Sequence, residues 1–284
     1  LKLVTRIIET LTDIADHYEV IVLDQWGVLH DGCSPYPEAN KTLNHLASAG
    51  HRLAVLSNSG KRAKSNADRI SQMGFSANLF DTILTSGEVL WQDINKSVVQ
   101  HRIFFPIERT VGDSIHWAKG LDVDFTTDLK AAQAILLMGL PDDTNLAEWQ
   151  RILNGALDLR IPMYCSNPDI SSPRGSKIIE ISPGVLAHEF QKRGGEVFFY
   201  GKPYGHTFMT LQRTLGVKSS YILMVGDSLE HDIAGAHASG WDSLFVSGGI
   251  HRNLFTKVEP QKALRSLTRE KNLPLPTYLI RTLK

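Results

Sequence analysis

The stretch Val20–Gly32, VIVLDQWGVLHDG, decides how the chain is read. An apolar run ends in Asp24, and a turn at Gly27 follows. A short continuous apolar run is the pattern of a strand buried on both faces. An aspartate at its end is delivered to the carboxyl rim of a parallel sheet, where open α/β proteins bind their ligands. Two residues beyond Asp24, where a second carboxylate would complete an acid pair, stands Trp26.

Outward from this run at 19–24, further strand-like runs occupy 51–57, 102–105, 131–140, 161–166, 196–201, 221–227 and 242–249. Helical patterns fill about 37–49, 61–73, 87–96, 146–158, 184–194, 206–216 and 230–239. Strands alternating with helices imply βαβ units and a largely parallel sheet. The opening segment LKLVTRIIETLTDIADHY carries acidic residues at helical spacing, so it reads as an amphipathic helix and not as a signal peptide. The chain begins at leucine rather than methionine, so a few residues are expected to precede it.

At 284 residues the chain is long enough for two domains. An apolar content of 42% and a charged content of 21% fit a soluble globular protein. The 30 basic and 30 acidic residues cancel, which makes nucleic acid a poor partner. No apolar run approaches the ~20 residues a bilayer requires, so no membrane partner is expected. Cys33 and Cys165 have neither a framework nor a metal-type spacing. A reducing cytoplasm is the natural setting.

Polar clusters stand directly at the ends of the strand-like runs. They are Asp24 after VIVL, Ser57-Asn58 after LAVL, Gly201-Lys202 after VFFY and Gly226-Asp227 after ILMV. Any one alone reads as a helix cap, because Ser, Asp and Asn favour that position. Together they converge carboxylates, a hydroxyl, an amide and an ammonium on one crevice.

In these residues the chain resembles phosphohydrolases of the haloacid dehalogenase (HAD) superfamily, in subclass IIA, the NagD-like group with a large C2-type cap. The first motif is Asp24-Gln25-Trp26-Gly27-Val28, the second Ser57-Asn58, the third Lys202 in GKP, and the fourth GDSLEHD with Asp227 and Asp232. The cap turn of the subclass matches Asn167-Pro168-Asp169. The resemblance spans Glu19 to Gly249. It implies an α/β fold with a Rossmann-like parallel-sheet core (the HAD fold) and an inserted α/β cap. Motifs one and two precede Ser86 and motifs three and four follow Glu196, so the expected layout is core 1–88, cap 89–194 and core 195–284.

The resemblance further implies a Mg²⁺-dependent phosphatase of a small phosphorylated metabolite, such as a sugar phosphate or a nucleotide. Asp24 attacks phosphorus and forms an aspartyl-phosphate, which water cleaves. Asp24, Asp227, Asp232 and the Trp26 backbone carbonyl hold the metal. Ser57, Asn58 and Lys202 bind the phosphate oxygens, Lys202 as a point charge. In the cap, Asn167, Asp169 and Arg174 of the loop SNPDISSPRGSK are the candidates for substrate selection. Caps of this kind often dimerise, so a homodimer through the cap is an expectation.

Trp26 is the departure. The usual aspartate at this position protonates the leaving oxygen and later activates water, while only its backbone carbonyl meets the metal. Trp26 therefore spares the metal site and removes a group typically worth ~10²–10⁴ in rate. His30, Asp31 and His206 lie near motif residues and are candidate substitutes, although each reads equally well as an ordinary loop or helix-start residue. Two alternatives stay open: a metal-independent dehalogenase-like hydrolase using Asp24, and a degenerate protein that binds a phosphorylated metabolite without turnover. A nucleotide-cofactor reading lacks G-x-G-x-x-G after the first strand, and SNSGKR does not match a P-loop.

Overall fold

The computed structural model describes residues 4–142, 144–174 and 178–284, with the side chains of 172–180 outside the description. In chain order the elements are β1 (Arg6–Ile7), β2 (Val20–Leu23), α1 (Pro37–Ser48), β3 (Arg52–Ser57), α2 (Ala63–Gln72), β4 (Thr82–Thr85), α3 (Ser86–Asn95), β5 (Ile103–Ile107), α4 (Asp113–Trp117), β6 (Asp124–Phe125), β7 (Ala134–Leu137) and α5 (Leu146–Leu159). There follow β8 (Met163–Cys165), β9 (Ser171–Arg174), β10 (Ile178–Ile181), α6 (Gly184–Lys192), β11 (Val197–Phe199), α7 (Gly205–Leu215), β12 (Ile222–Gly226), α8 (Ala234–Ala238), β13 (Asp242–Val246), α9 (Arg252–Phe255), α10 (Pro260–Glu270) and β14 (Tyr278–Ile280).

A seven-stranded sheet in the order β1-β14-β13-β12-β2-β3-β4 is parallel throughout. A second sheet, β11-β8-β7-β5-β6, is also parallel, and β9 and β10 form an antiparallel hairpin. The expected parallel α/β architecture is borne out.

The apolar run of β2 explains the layering. All four of its residues are buried. Because side chains alternate along a strand, Val20 and Val22 join one core and Ile21 and Leu23 the other. The first core takes Val89, Leu90 and Ile94 of α3, Phe208 and Leu211 of α7, and Phe104 and Leu136 of the second sheet. The second core is closed by Ala39, Leu43 and Leu46 of α1 and Ile70 of α2. Parallel strands place all their carboxyl ends on one rim, and register puts Asp24 there: its N–H donates to Val225 O at 2.9 Å.

Two findings depart from the sequence reading. The opening segment is not a helix over its described residues, from Val4 onward. Arg6 and Ile7 pair with Tyr278 and Leu279 as an edge strand, and two 3₁₀ turns follow at Leu11–Asp13 and Ala15–His17. Asp13 closes the first turn by accepting from Thr10 Oγ1 at 2.8 Å and Thr10 N at 3.0 Å. Leu11, Ile14 and Ala15 are buried at helix-like spacing, so the periodicity reported burial and not a continuous helix. The second departure is β11, which pairs with β8 in the five-stranded sheet, so the chain reaches Lys202 from that sheet.

Candidate functional site

Neighbouring strands bring the acids together. β2 pairs with β12, so Asp24 and Asp227 leave adjacent strand ends. Asp232 follows in a single π-turn at Leu229–Ile233, where its Oδ2 accepts from Ser228 N at 3.0 Å. Carboxylate oxygens of Asp24, Asp227 and Asp232 lie within 4.8 Å of one another. Gly27 makes this approach feasible: its φ is +76°, and a Cβ there would fall 1.8 Å from Asp227 Oδ2.

Like charges this close need compensation. Asp227 is buried and accepts from Ile250 N at 2.8 Å. Burial, with Asp24 and Asp232 beside it, pushes its proton affinity well above the usual carboxylate range. Burial raises Asp232 to about 6, against the opposing pull of Lys202. Lys202, 3% exposed, donates to Asp24 Oδ1 at 2.5 Å and to Asp232 Oδ1 at 2.7 Å. Burial alone would strip its proton, but these two carboxylates outweigh it and hold the ammonium charged.

Asn58 fixes the lysine's backbone. Its Oδ1 accepts from Lys202 N at 2.6 Å, and its Nδ2 donates to Lys202 O at 3.1 Å. The same Nδ2 donates to Asp169 Oδ1 at 2.7 Å, and His231 Nδ1 is 3.3 Å from that oxygen. The NPD turn is thus seated against the second and fourth motifs, with Asn167 Oδ1 accepting from Asp169 N at 3.2 Å. Ser57 is the buried last residue of β3, on the same rim, and its Oγ accepts from Ser59 N at 3.3 Å. Arg174 ends β9, and its side chain lies outside the described residues, as do 175–177 of the proposed selection loop.

Trp26 is built into its surroundings. Its ring meets His30 edge-on at 5.4 Å, and Arg69 of α2 lies 5.1 Å from its centre. A Cβ at Gly32 would strike the indole at 2.1 Å. The three candidate substitutes for the missing acid are committed elsewhere. Buried His30 accepts from Gly32 N at 3.0 Å through Nδ1, and burial lowers it to about 4. Asp31 Oδ1 accepts from Cys33 N at 2.9 Å and Ser34 N at 2.7 Å. His206 Nε2 donates to Asp93 at 2.7 Å. Sequence reasoning missed Asp93, Arg69 and the seat of Asp169 on His231. All depend on contacts between distant segments.

The donor set suits a hard divalent cation. It offers clustered carboxylate oxygens, only partly neutralised by Lys202, and Mg²⁺ binds such oxygens. The Trp26 carbonyl accepts no hydrogen bond among the described residues and is free to join them.

Comparison with known proteins gives the same family at both ends of the chain. The haloacid dehalogenase-like hydrolase family model matches residues 21–116, and a related HAD-hydrolase-like model matches 199–269. A crystal structure of a haloacid dehalogenase-like hydrolase from Brucella suis superposes with a TM-score of 0.83 at 26% identity, covering 98% of this chain and 100% of that one. Chronophin from Bos taurus is 26% identical over 251 residues, 84% of each chain. Dihydroxyacetone phosphatase from Corynebacterium glutamicum is 27% identical over 132 residues, so that match spans about half of that protein (48%) and 44% of this chain.

Proposed function

Because the chain belongs to the haloacid dehalogenase-like hydrolases, we propose that it is a Mg²⁺-dependent phosphatase of a small phosphorylated metabolite, working through Asp24. The observation that carries this reading is the bridge from the Lys202 ammonium to Asp24 and Asp232 beside Asp227. The names of the relatives, a dihydroxyacetone phosphatase among them, support the substrate class.

In this reading Asp24, Asp227, Asp232 and the Trp26 carbonyl would hold Mg²⁺, which supplies charge neutralisation for an anionic substrate. Lys202 orients Asp24 through Oδ1, and Asp24 Oδ2 has no hydrogen bond among the described residues. That oxygen attacks phosphorus while the ester P–O bond breaks and its electron pair leaves with the alkoxide. Water then attacks the aspartyl-phosphate, the bond to Asp24 breaks, and the carboxylate is restored. Lys202 and the Ser57 hydroxyl stabilise the equatorial oxygens. Asn58 acts mainly by holding Lys202, a positioning role beside the expected phosphate contact.

The layout completes the proposal. Residues 1–88 and 200–284 form the core and 89–199 the cap, the expected boundary at 194 moving to take in β11, which pairs with β8 in the cap's sheet. Asn167, Asp169 and Arg174 belong to the cap's selecting surface, and the homodimer forms through the cap. No helix among the described residues is long and apolar enough to cross a membrane, and the free thiols Cys33 and Cys165 suit the cytoplasm. A metal-free dehalogenase would gain nothing from three clustered acids. The deciding experiment is phosphate release from a panel of phosphorylated metabolites in Mg²⁺ and in EDTA, with Asp24→Asn as control. Release that survives EDTA or Asp24→Asn overturns the proposal. So does a purified wild type inert on every ester.

A further inference from the structure

Lys202 must set its ammonium between two carboxylates at the rim of the seven-stranded sheet, yet the chain reaches it from β11 of the other sheet. The segment that makes this crossing runs from Tyr200 to His206, and one carboxylate oxygen binds both of its ends. Tyr200 Oη donates to Asp93 Oδ2 at 2.9 Å, and His206 Nε2 donates to the same oxygen at 2.7 Å. Asp93 stands on α3, which begins directly after β4 of the seven-stranded sheet, and is only 8% exposed.

Several features mark this as more than packing. Asp93 lies between Leu90 and Ile94, both buried in an apolar core. A buried carboxylate there is costly unless hydrogen-bonded, and an apolar residue would fill the space without that cost. Tyr200 is a steady donor, because burial and the Asp93 charge keep its hydroxyl protonated. Inside the crossing, Gly201 N donates to Thr207 Oγ1 at 2.8 Å. Gly201 has a φ of +116°, and a Cβ there would meet Asn58 Oδ1 and Ser86 Oγ at 2.6 Å. The crossing is therefore held at its two ends by Asp93 and at its middle by Asn58, with little freedom for Lys202 between them.

We propose that Asp93 is a positioning residue: by holding Tyr200 and His206 on one oxygen, it fixes where the crossing sets Lys202 against Asp24 and Asp232. Asp93 touches none of the reacting atoms and acts through Lys202. Its kinetic consequence rests on the phosphatase reading, whereas its geometric consequence does not.

The test uses the full chain and four variants: Asp93→Asn, Tyr200→Phe, His206→Ala and His206→Gln. Two quantities are read at a temperature where circular dichroism shows each protein folded. One is kcat/KM for an aryl phosphate in saturating Mg²⁺. The other is the rate at which Lys202 is labelled by reductive methylation, read by peptide mass. Charge-assisted hydrogen bonds are strong enough for their loss to matter, so Asp93→Asn and His206→Ala should lower kcat/KM about tenfold and raise Lys202 labelling about fivefold. Tyr200→Phe should move both in the same direction by less. Glutamine keeps an N–H donor near the Nε2 position, so His206→Gln should bring both quantities within about twofold of wild type. Unchanged labelling in the folded Asp93 and His206 variants overturns the proposal. So does His206→Gln behaving like His206→Ala. Should Asp93→Asn not fold, the half-exposed His206 and the Tyr200 variants decide the matter. A wild type that releases no phosphate from any ester removes the phosphatase reading, and labelling still decides the role of Asp93.

Discussion

Lys202 Nζ lies 2.5 Å from Asp24 Oδ1, although the strands that precede them, β11 and β2, belong to different sheets. The contact joins the two sheets at the site and leaves the buried Lys202 charge dependent on the half-buried Asp24 and the buried Asp232. Removing one partner of a buried pair costs roughly 3–5 kcal/mol, because the remaining charge is uncompensated. Lys202→Met is expected to destabilise the metal-free protein by that order and to abolish phosphate release. Urea unfolding at pH 7.5 in EDTA checks the first expectation, and a cost under about 1 kcal/mol would contradict it.

On the proposed reading, the clustered acids would make Mg²⁺ a stabiliser. Asp232 is raised in the folded protein, so the native state binds more protons than the unfolded chain. Without a cation, its contribution to stability is therefore lost as pH rises from the ordinary carboxylate range through about 6. The proposed Mg²⁺ would bind the deprotonated acids, so it should raise the thermal midpoint more at pH 7.5 than at pH 5. At a hundredfold excess over Kd the gain is about 2.7 kcal/mol. In Asp227→Asn the Mg²⁺-dependent shift should vanish at both pH values, as read by scanning calorimetry.

Trp26 has no group able to move a proton to a leaving alkoxide, since indole N–H is only a donor. Wild type is expected to be slow on alkyl phosphates and faster on aryl phosphates, whose leaving groups depart unaided and which give a burst as aspartyl-phosphate accumulates ahead of its hydrolysis. Trp26→Asp should raise alkyl turnover by at least about tenfold, and by up to the ~10²–10⁴ that such a group contributes. The indole packs on Gly32 and under Arg69, so some loss of stability accompanies the gain. The ratio of alkyl to aryl turnover in both proteins is the check. Similar high wild-type rates without a burst would show that another group supplies the acid.

His30 is buried and neutral, with burial lowering it to about 4. A depressed histidine gives stability that is complete above about 6.5 and is lost as pH falls toward 4, because the unfolded chain takes up the proton first. A shift of this size is worth about 3 kcal/mol. Asp232 has the opposite dependence in part of this window, so the wild-type curve alone does not isolate His30. The stability gap between wild type and His30→Gln should close by about that amount from pH 7 to pH 4 in urea titrations.

The residues at strand ends were legible because their neighbours are so uniform. VIVL and ILMV are short, β-branched-rich apolar runs that read as buried strands, and a polar residue directly after each such strand stands on the rim. Asp24 and Asp227 were therefore placed before any contact was known. The sheet that holds β11 was not legible, since VFF carries no mark of whether Met163 or some other strand pairs with it. The opening segment misled because the spacing of Leu11, Ile14 and Ala15 fits two short turns as well as a helix. Asp93 was invisible for a related reason. It sits within an ordinary helix, and only folding brings Tyr200 and His206 to it.

The pairing of β2 with β12 also orders events during synthesis. Val20 finds its partner Ile222 only after most of the chain has been made, whereas every strand of the second sheet has emerged by Phe199. Contacts close in sequence form early, and those that close long loops form late. A growing chain thus carries a finished inserted sheet while Asp24 still lacks Asp227. On the proposed reading, a nascent chain stalled short of β12 would hold Asp24 without Asp227 and Asp232, and would be inert toward phosphate esters until that strand and the turn after it had emerged.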